Sequence, residues 1–250
     1  MVNDIPQQYD IRLQDEYLAH YHVKKFSKGE LILCEGEIPT TAYVIKKGVV
    51  KTYNITSEGQ EKPISFELAY EPLPIGWLFY KFRRSTYYYE AYTDCELYAI
   101  PREELYEHIQ ADKELQSYAF NYFVKRYLNA QMRINALEQS KAADKVVHTL
   151  QYLCLRYGRD TREDVVKIML PLTQQDLANF MGLTRETTGI ELKKLERRGI
   201  ISYNRQNYTV YTDKLNEILD EEFGSLRFVE HEEEHKPHSR RLIRERRFSL

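Results

Sequence analysis

Residues 172–198 read LTQQDLANFMGLTRETTGIELKKLERR, two short helical patterns separated by a glycine-containing turn. Thr173 and Asp176 have the Thr-x-x-Asp spacing of a capping box, in which each side chain accepts the other residue's backbone N–H, so a helix is expected to start there. Leu177 and Phe180 give that helix an apolar stripe, and Met181-Gly182-Leu183 ends it. Thr184 is placed to cap a second helix through its hydroxyl. In that helix Thr188, Leu192 and Leu195 recur at i, i+4 and i+7 and are expected to face inward. Arg185, Gly189 and Lys193, flanked by Glu186 and Ile190, then fall on the opposite, exposed face. Arg can donate twice to O6 and N7 of guanine, and Glu can accept from N4 of cytosine, so this face has the chemistry of a major-groove reader. The pattern is that of a helix-turn-helix with the second helix as reader. An ordinary helical hairpin with a charged solvent face has the same spacing, and this stretch alone leaves both open.

The following segment favours the reader. Residues 199–203 (GIISY) and 208–211 (YTVY) are β-rich runs separated by NRQN, a hairpin or wing. Residues 184–206 carry six Lys/Arg against three Glu, although the whole chain has a net charge of −2. Docking on DNA needs local charge rather than a basic average. Arg185, Glu186, Gly189 and Ile190 are therefore the expected base contacts, with Ile190 suited to a thymine methyl. Thr173, Gln174, Gln175 and Thr184 stand at helix N-termini, where free N–H groups favour phosphate, and Lys193, Lys194 and Arg205 add charge.

Composition narrows the remaining classes. At 250 residues the chain can bury one large core or two smaller ones. Its hydrophobic content is 42%, no apolar run approaches the ~18 residues of a membrane span, and no secretory signal opens it, so a cytoplasmic protein is expected. Cys34, Cys95 and Cys154 are isolated, which argues against a disulfide framework and predicts small buried hydrophobes. His20 and His22 form an H-x-H pair without further ligands, and no metal site is expected there.

Taken in order, residues 1–22 are polar, with a short helix expected over 10–21. From Val23 the pattern turns to short strands with turn signals every eight to twelve residues: 26–33, 41–45, 48–55, 64–68 and a last pair around Thr93-Asp94. Such spacing predicts an antiparallel sandwich or small barrel. Tyrosine is abundant, 21 residues including Tyr87-Tyr88-Tyr89 and Tyr92, and alternation lets only half of a tyrosine run face one side. A short helix is expected over 101–110 and a long one over 113–138, free of Gly and Pro. Along the latter Phe120, Phe123, Tyr127, Ala130, Ile134 and Leu137 step by 3, 4, 3, 4, 3. This a/d seam predicts parallel dimerisation, with an intrachain core as the alternative. Ser140 is placed to cap a helix over 141–157, residues 159–164 read as a charged loop, and 165–170 as a strand entering the helix-turn-helix. Residues 213–234 hold nine acidic and two basic residues, and 236–250 hold six basic residues and Glu245; a partly disordered extension is expected, with a DNA-contacting arm as the alternative.

Residues 184–190, TRETTGI, resemble the reader helix of the Crp–Fnr family of bacterial transcription regulators, [S/T]-R-E-T-[V/I]-[G/S]-R, and the resemblance extends from about Phe26 to Tyr211. It implies a cyclic-nucleotide-binding-like jelly roll, with turn glycines at Gly29, Gly36 and Gly48, a dimer helix in place of the seam, and RNA polymerase as a partner if the protein activates. Cyclic-nucleotide members carry a cassette of the form G-E-L, several residues, then R-S, whose Glu holds ribose and whose Arg and Ser hold phosphate. The matching segment runs from Gly76 to Ser85: Arg84-Ser85 fits the end, Trp77 replaces the Glu, and the segment is about three residues shorter. A Thr-Ser pair contacts adenine in such members, and Ala130 and Gln131 stand there. Cyclic AMP is therefore not the expected effector. An iron–sulfur cluster is not expected either, because the first 33 residues hold no cysteine. The candidate effector pocket is Gly76, Trp77, Leu78, Arg83, Arg84, Ser85, Tyr127, Ala130 and Gln131. A metal-binding cupin roll would need histidines, and residues 23–100 contain none, so no enzyme activity is expected.

The expected architecture is α+β. It comprises an N-terminal segment (1–22), a sensor jelly roll with a short helix (23–112) and a dimerisation helix (113–139), then a winged helix-turn-helix (140–212) and a charged extension (213–250). The expected function is a homodimeric regulator reading a palindromic DNA site under a small-molecule effector other than cyclic AMP. The alternatives are an effector-independent regulator with a vestigial roll, and a ligand-binding or protein-interaction module. No cofactor, metal or membrane partner is expected.

Overall fold

The computed structural model describes residues 16–223. The N-terminal roll is two four-stranded antiparallel sheets. One has the order β1-β8-β3-β6, from β1 (His22–Phe26), β3 (Ala42–Lys47), β6 (Pro72–Leu73) and β8 (Cys95–Ile100). The other has the order β2-β7-β4-β5, from β2 (Leu31–Leu33), β4 (Val50–Ile55), β5 (Glu61–Glu67) and β7 (Tyr88–Ala91). The strands flanking Thr93-Asp94 are therefore not a hairpin pair: β7 pairs with β2 and β4, and β8 with β1 and β3. The chain changes sheet at Tyr92, beside Gly48, whose φ of +96° and 2.4 Å approach of Asp94 O to a Cβ position admit only glycine.

Alternation along β3 divides two cores. Tyr43 and Ile45 point between the sheets with Leu33, Val50, Tyr89 and Leu97. Ala42 and Val44 point outward, onto a layer built from Trp77, Leu105, Ile109 and Leu115. That layer comes from α1 (Ile75–Leu78), α2 (Arg102–Ala111) and the start of α3 (Lys113–Glu138), where the Asp112 carboxylate accepts from the N–H groups of Glu114 and Leu115. Glu16 to Leu18 form a helical turn; the rest of the helix expected over 10–21 falls largely on residues outside those described.

The C-terminal domain begins with α4 (Ala142–Tyr157). Its N-cap is Lys141, with no side-chain cap bond, rather than Ser140. The expected charged loop is instead a strand, β9 (Gly158–Arg162), because its backbone pairs with β10 (Val165–Ile168). α5 (Gln174–Met181) and α6 (Arg185–Arg197) follow, then the wing, β11 (Ile201–Asn204) and β12 (Asn207–Tyr211). Asn204 pairs with Asn207, so the wing turn is only Arg205-Gln206, with Arg205 at a φ of 54°. The chain then forms α7 (Thr212–Phe223), which corrects the reading of residue 213 as the start of a disordered extension: Leu215, Ile218 and Leu219 are buried in the same core as α4. The acidic residues of this helix occupy its other positions. The basic tail lies outside the described residues, and no helix among them is long and apolar enough to cross a membrane.

Candidate nucleic-acid interface and effector cavity

The helix-turn-helix is held by local chemistry at each joint. Thr173 Oγ1 accepts from Asp176 N at 3.0 Å while Asp176 Oδ2 accepts from Thr173 N at 2.8 Å. Gly182 ends α5 in the left-handed conformation (φ 67°), and Thr184 Oγ1 caps α6 by accepting from Thr187 N at 3.1 Å. Thr188, Leu192 and Leu195 are buried, which fixes the rotation of α6 and leaves Arg185, Glu186, Ile190 and Lys193 exposed on one face. Ile190 is 56% exposed, a large apolar side chain left in water at the centre of that face.

The expected phosphate contacts are placed unequally. Thr184, Gln175, Lys193 and Arg205 are exposed. Lys194 is exposed but engaged with Glu191 at 2.8 Å, and Gln175 Nε2 donates to Asn179 Oδ1. Thr173 and Gln174 are half-buried: the Thr173 hydroxyl is used in the capping box, and Gln174 Oε1 lies 3.4 Å from where a Gly189 Cβ would stand. Gly189 is itself half-buried at this helix crossing.

α5 also packs against the roll. Phe66 on β5 is fully buried among residues of the C-terminal domain, with its ring 6.0 Å from Phe180 and 4.9 Å from Tyr92. Tyr157 Oη accepts from Phe66 N and donates to Phe66 O, at 3.1 and 3.2 Å. Arg133 of α3 lies 3.3 Å from the Phe180 ring centroid and donates to the Phe180 carbonyl.

Within the roll, a cavity of about 320 Å³ is walled by Ile64, Leu73, Ile75, Phe82, Tyr87 and Tyr89, with Thr52, Ser65, Glu67 and Arg126 as its main polar residues. Of the nine residues expected to form an effector pocket, Gly76 alone lines it, where Phe82 approaches so closely that a Cβ would meet its ring at 2.5 Å. Trp77 and Leu78 are instead buried in the outer layer, Trp77 under the Arg102 guanidinium. Arg84 Nη1 donates to Gly36 O at 2.7 Å and Ser85 Oγ to Tyr87 O at 2.6 Å, so both are committed to main-chain carbonyls. Arg83 is exposed outside the cavity. Tyr127, Ala130 and Gln131 are exposed on the far side of α3, which turns Arg126 inward in their place. The cassette positions thus offer a cyclic nucleotide no carboxylate for its ribose, and Arg83, Arg84 and Ser85 lie outside the cavity lining.

Sequence reasoning missed a buried charge network. Arg126 Nη1 and Nη2 donate to Glu67 at 2.6 and 3.3 Å, Glu71 lies 3.9 Å from Arg126, and Arg156 of α4 donates to Glu71. Burial would raise Glu67, but Arg126 and the Ser65 hydroxyl hold it at about 2. Burial lifts Glu71 to about 7 against the pull of Arg156, with the neighbouring Glu67 charge adding to the rise. The available signal was Glu67 at an inward position of β5, two residues after Ser65, where an apolar residue is the rule.

The long helix carries two stripes. Leu115, Tyr122, Arg126, Arg133 and Ala136 face the chain's own body. Phe120, Tyr127, Ile134 and Leu137 of the expected seam are exposed, joined by Val124 and Leu128. Ala130 is exposed as well, whereas Phe123 turns inward against Phe79, at 5.2 Å between ring centroids, and leaves the seam.

An antiparallel roll, a long helix and a winged helix-turn-helix define a two-domain class of protein. The Cyclic nucleotide-binding domain family matches residues 23–112, and the Crp-like helix-turn-helix domain family matches residues 144–218. With both of its domains so matched, the chain belongs to the Crp–Fnr family of transcription regulators. It is 25% identical over 197 residues to the cAMP-activated global transcriptional regulator CRP of Haemophilus influenzae, covering 79% of this chain and 87% of that one. It is 26% identical over 189 residues to the nitrogen fixation regulation protein FixK of Azorhizobium caulinodans, covering 76% and 75%. These relatives are regulators, not enzymes. Among solved structures, FixK2 of Bradyrhizobium japonicum superposes with a TM-score of 0.65 at 19% identity, over 79% of this chain and 96% of that one. The c-di-GMP-responsive global regulator CLP of Xanthomonas campestris superposes at 0.62 and 22%, over 81% and 99%.

Proposed function

We propose that this chain is a cytoplasmic, homodimeric, sequence-specific DNA-binding regulator controlled by a small-molecule effector other than cyclic AMP. The observation that carries the reading is the exposed first turn of α6, where Arg185 and Glu186 stand free on a helix rotated into place by Thr188, Leu192 and Leu195. Arg185 reads guanine and Glu186 a neighbouring cytosine, and Ile190 meets a thymine methyl, while Gly189 serves the crossing of α5 and α6 beside Gln174. Thr184, Gln175, Lys193 and Arg205 contact phosphate, with Lys194, Thr173 and Gln174 at the margin of the interface. The exposed apolar stripe of α3, unusual on a lone helix, supports pairing of two copies, which sets two readers about 34 Å apart on a palindromic site. If the regulator activates, RNA polymerase is its further partner. The commitments of Trp77, Arg84 and Ser85 support an effector other than cyclic AMP.

Selection of DNA from a random pool by the purified full-length protein tests this reading. An enriched inverted repeat with half-sites one helical turn apart is expected. Absence of any enriched sequence would overturn it.

A further inference from the structure

The cavity in the roll sets a saturated carboxylate beside a guanidinium that has donors to spare. Glu67 accepts from Ser65 Oγ at 2.5 Å, Thr52 Oγ1 at 3.2 Å and both terminal nitrogens of Arg126. An ionised carboxylate has about four acceptor sites, so Glu67 is saturated and offers nothing to a ligand's donor. Arg126 is the opposite case: these two bonds use two of the five N–H groups of a guanidinium, and its side chain keeps 25% of its surface exposed. Tyr89 stands on the same wall, 6% exposed, and its hydroxyl has no hydrogen-bond partner among the described residues. The Ser85 hydroxyl, which would otherwise add to these donors, is bonded to Tyr87 O. Besides the hydroxyls of Thr86 and Tyr87, what remains open is the edge of the Arg126 guanidinium and the Tyr89 hydroxyl, facing a space walled by Phe82, Ile64 and Ile75.

We infer that the effector of this roll is a small monoanionic carboxylate with an aromatic or aliphatic body, its oxygens held by Arg126 and Tyr89. The body lies against the aromatic wall, and the carboxylate takes the free edge of the guanidinium beside Glu67. The network of Glu67 and Glu71 with Arg126 and Arg156 pairs two carboxylates with two guanidinium groups. Each further buried charge adds a desolvation cost, so a single negative charge fits better than the two of a phosphate monoester. A cavity of about 320 Å³ lies at the small end of ligand sites, in keeping with a one-ring or short-chain acid. This inference rests on the reading of the chain as an effector-controlled regulator.

The test is calorimetric titration of the full-length protein with phenylacetate, hexanoate, phenylacetamide, phenyl phosphate and cyclic AMP. Phenylacetate or hexanoate is expected to bind at least about tenfold more tightly than phenylacetamide, which matches phenylacetate in shape but lacks its charge. Arg126→Lys removes the forked donor and is expected to weaken the acid by about tenfold or more. Tyr89→Phe keeps the packing and is expected to weaken it by about three- to tenfold. Equal binding of the amide and the acid, acid binding that Tyr89→Phe leaves unchanged, or binding of phenyl phosphate or cyclic AMP with both acids silent would each overturn the inference. So would silence of every compound. DNA selection on the same preparation separates the two readings. A protein that selects a site but binds neither acid loses the ligand class and keeps the regulator; one that binds an acid but selects no site keeps the ligand class and loses the regulator.

Discussion

Tyr92 of the roll donates its hydroxyl toward Asp176 Oδ2 of the helix-turn-helix at 2.9 Å, sharing its proton with Pro171 O at 2.9 Å. The same carboxylate oxygen accepts from Thr173 N and so closes the capping box of α5. Burial, with this carboxylate beside it, pushes the Tyr92 phenol above its ordinary value. A residue at the point where the roll changes sheet therefore touches the group that fixes the start of the helix-turn-helix.

Tyr92→Phe keeps the ring against Phe66 and removes this bond. A hydrogen bond to a charged acceptor contributes roughly 1.5–3 kcal/mol, so stability to urea is expected to fall by about that amount. An unchanged midpoint and slope would show that the contact does not hold the domains together.

Arg185→Ala is expected to cost roughly 1–3 kcal/mol of DNA affinity and to relax preference at one base pair of each half-site. Lys193→Ala is expected to weaken all sequences alike and to flatten the salt dependence by about one unit. Binding measured across operator variants and salt concentrations separates the two outcomes.

Ile134→Glu puts a charge on the exposed stripe of α3 without touching the chain's own core, since Ile134 is 52% exposed. Sedimentation is expected to shift from dimer to monomer while the thermal unfolding of the fold is retained. DNA affinity should fall with it, because two half-sites are then bound separately. A dimer that survives this change and Leu128→Glu together would relocate the interface.

The two buried carboxylates predict opposite pH effects. Glu71, lifted by burial and by Glu67 to about 7 from an ordinary 4.5, binds its proton more tightly in the folded state. Its contribution is full below about pH 4.5 and is lost as pH rises through 7. Glu67, held at about 2 against its burial by Arg126, contributes above about 4.5 and loses that contribution as pH falls toward 2. Glu71→Gln removes only the first of these. Wild type is therefore expected to lose stability relative to Glu71→Gln between pH 5 and 8, read from urea titrations at each pH; parallel profiles would contradict the assignment.

The helix-turn-helix was legible residue by residue in the chain. Thr173 with Asp176, Gly182 and Thr184 act within one helical turn of where they stand, and Thr188, Leu192 and Leu195 set the exposed face by period alone. Local hydrogen bonds and periodicity need no distant partner, which is why these joints were legible. The strand spacing of the roll was legible for the same reason. Which sheet each strand joins depends on distant partners, because β7 and β8 have the same turn between them whether they pair or part. The tertiary structure also decided that residues 212–223 form a helix, through Leu215, Ile218 and Leu219 meeting α4. The cavity in the roll was the least legible part. Its chemistry lies in Glu67 and Arg126, 59 residues apart, and a rotation of α3 by one position exchanges Tyr127 for Arg126 at the wall. Two stripes of similar spacing run along that helix, and only the bodies packed against it choose between them.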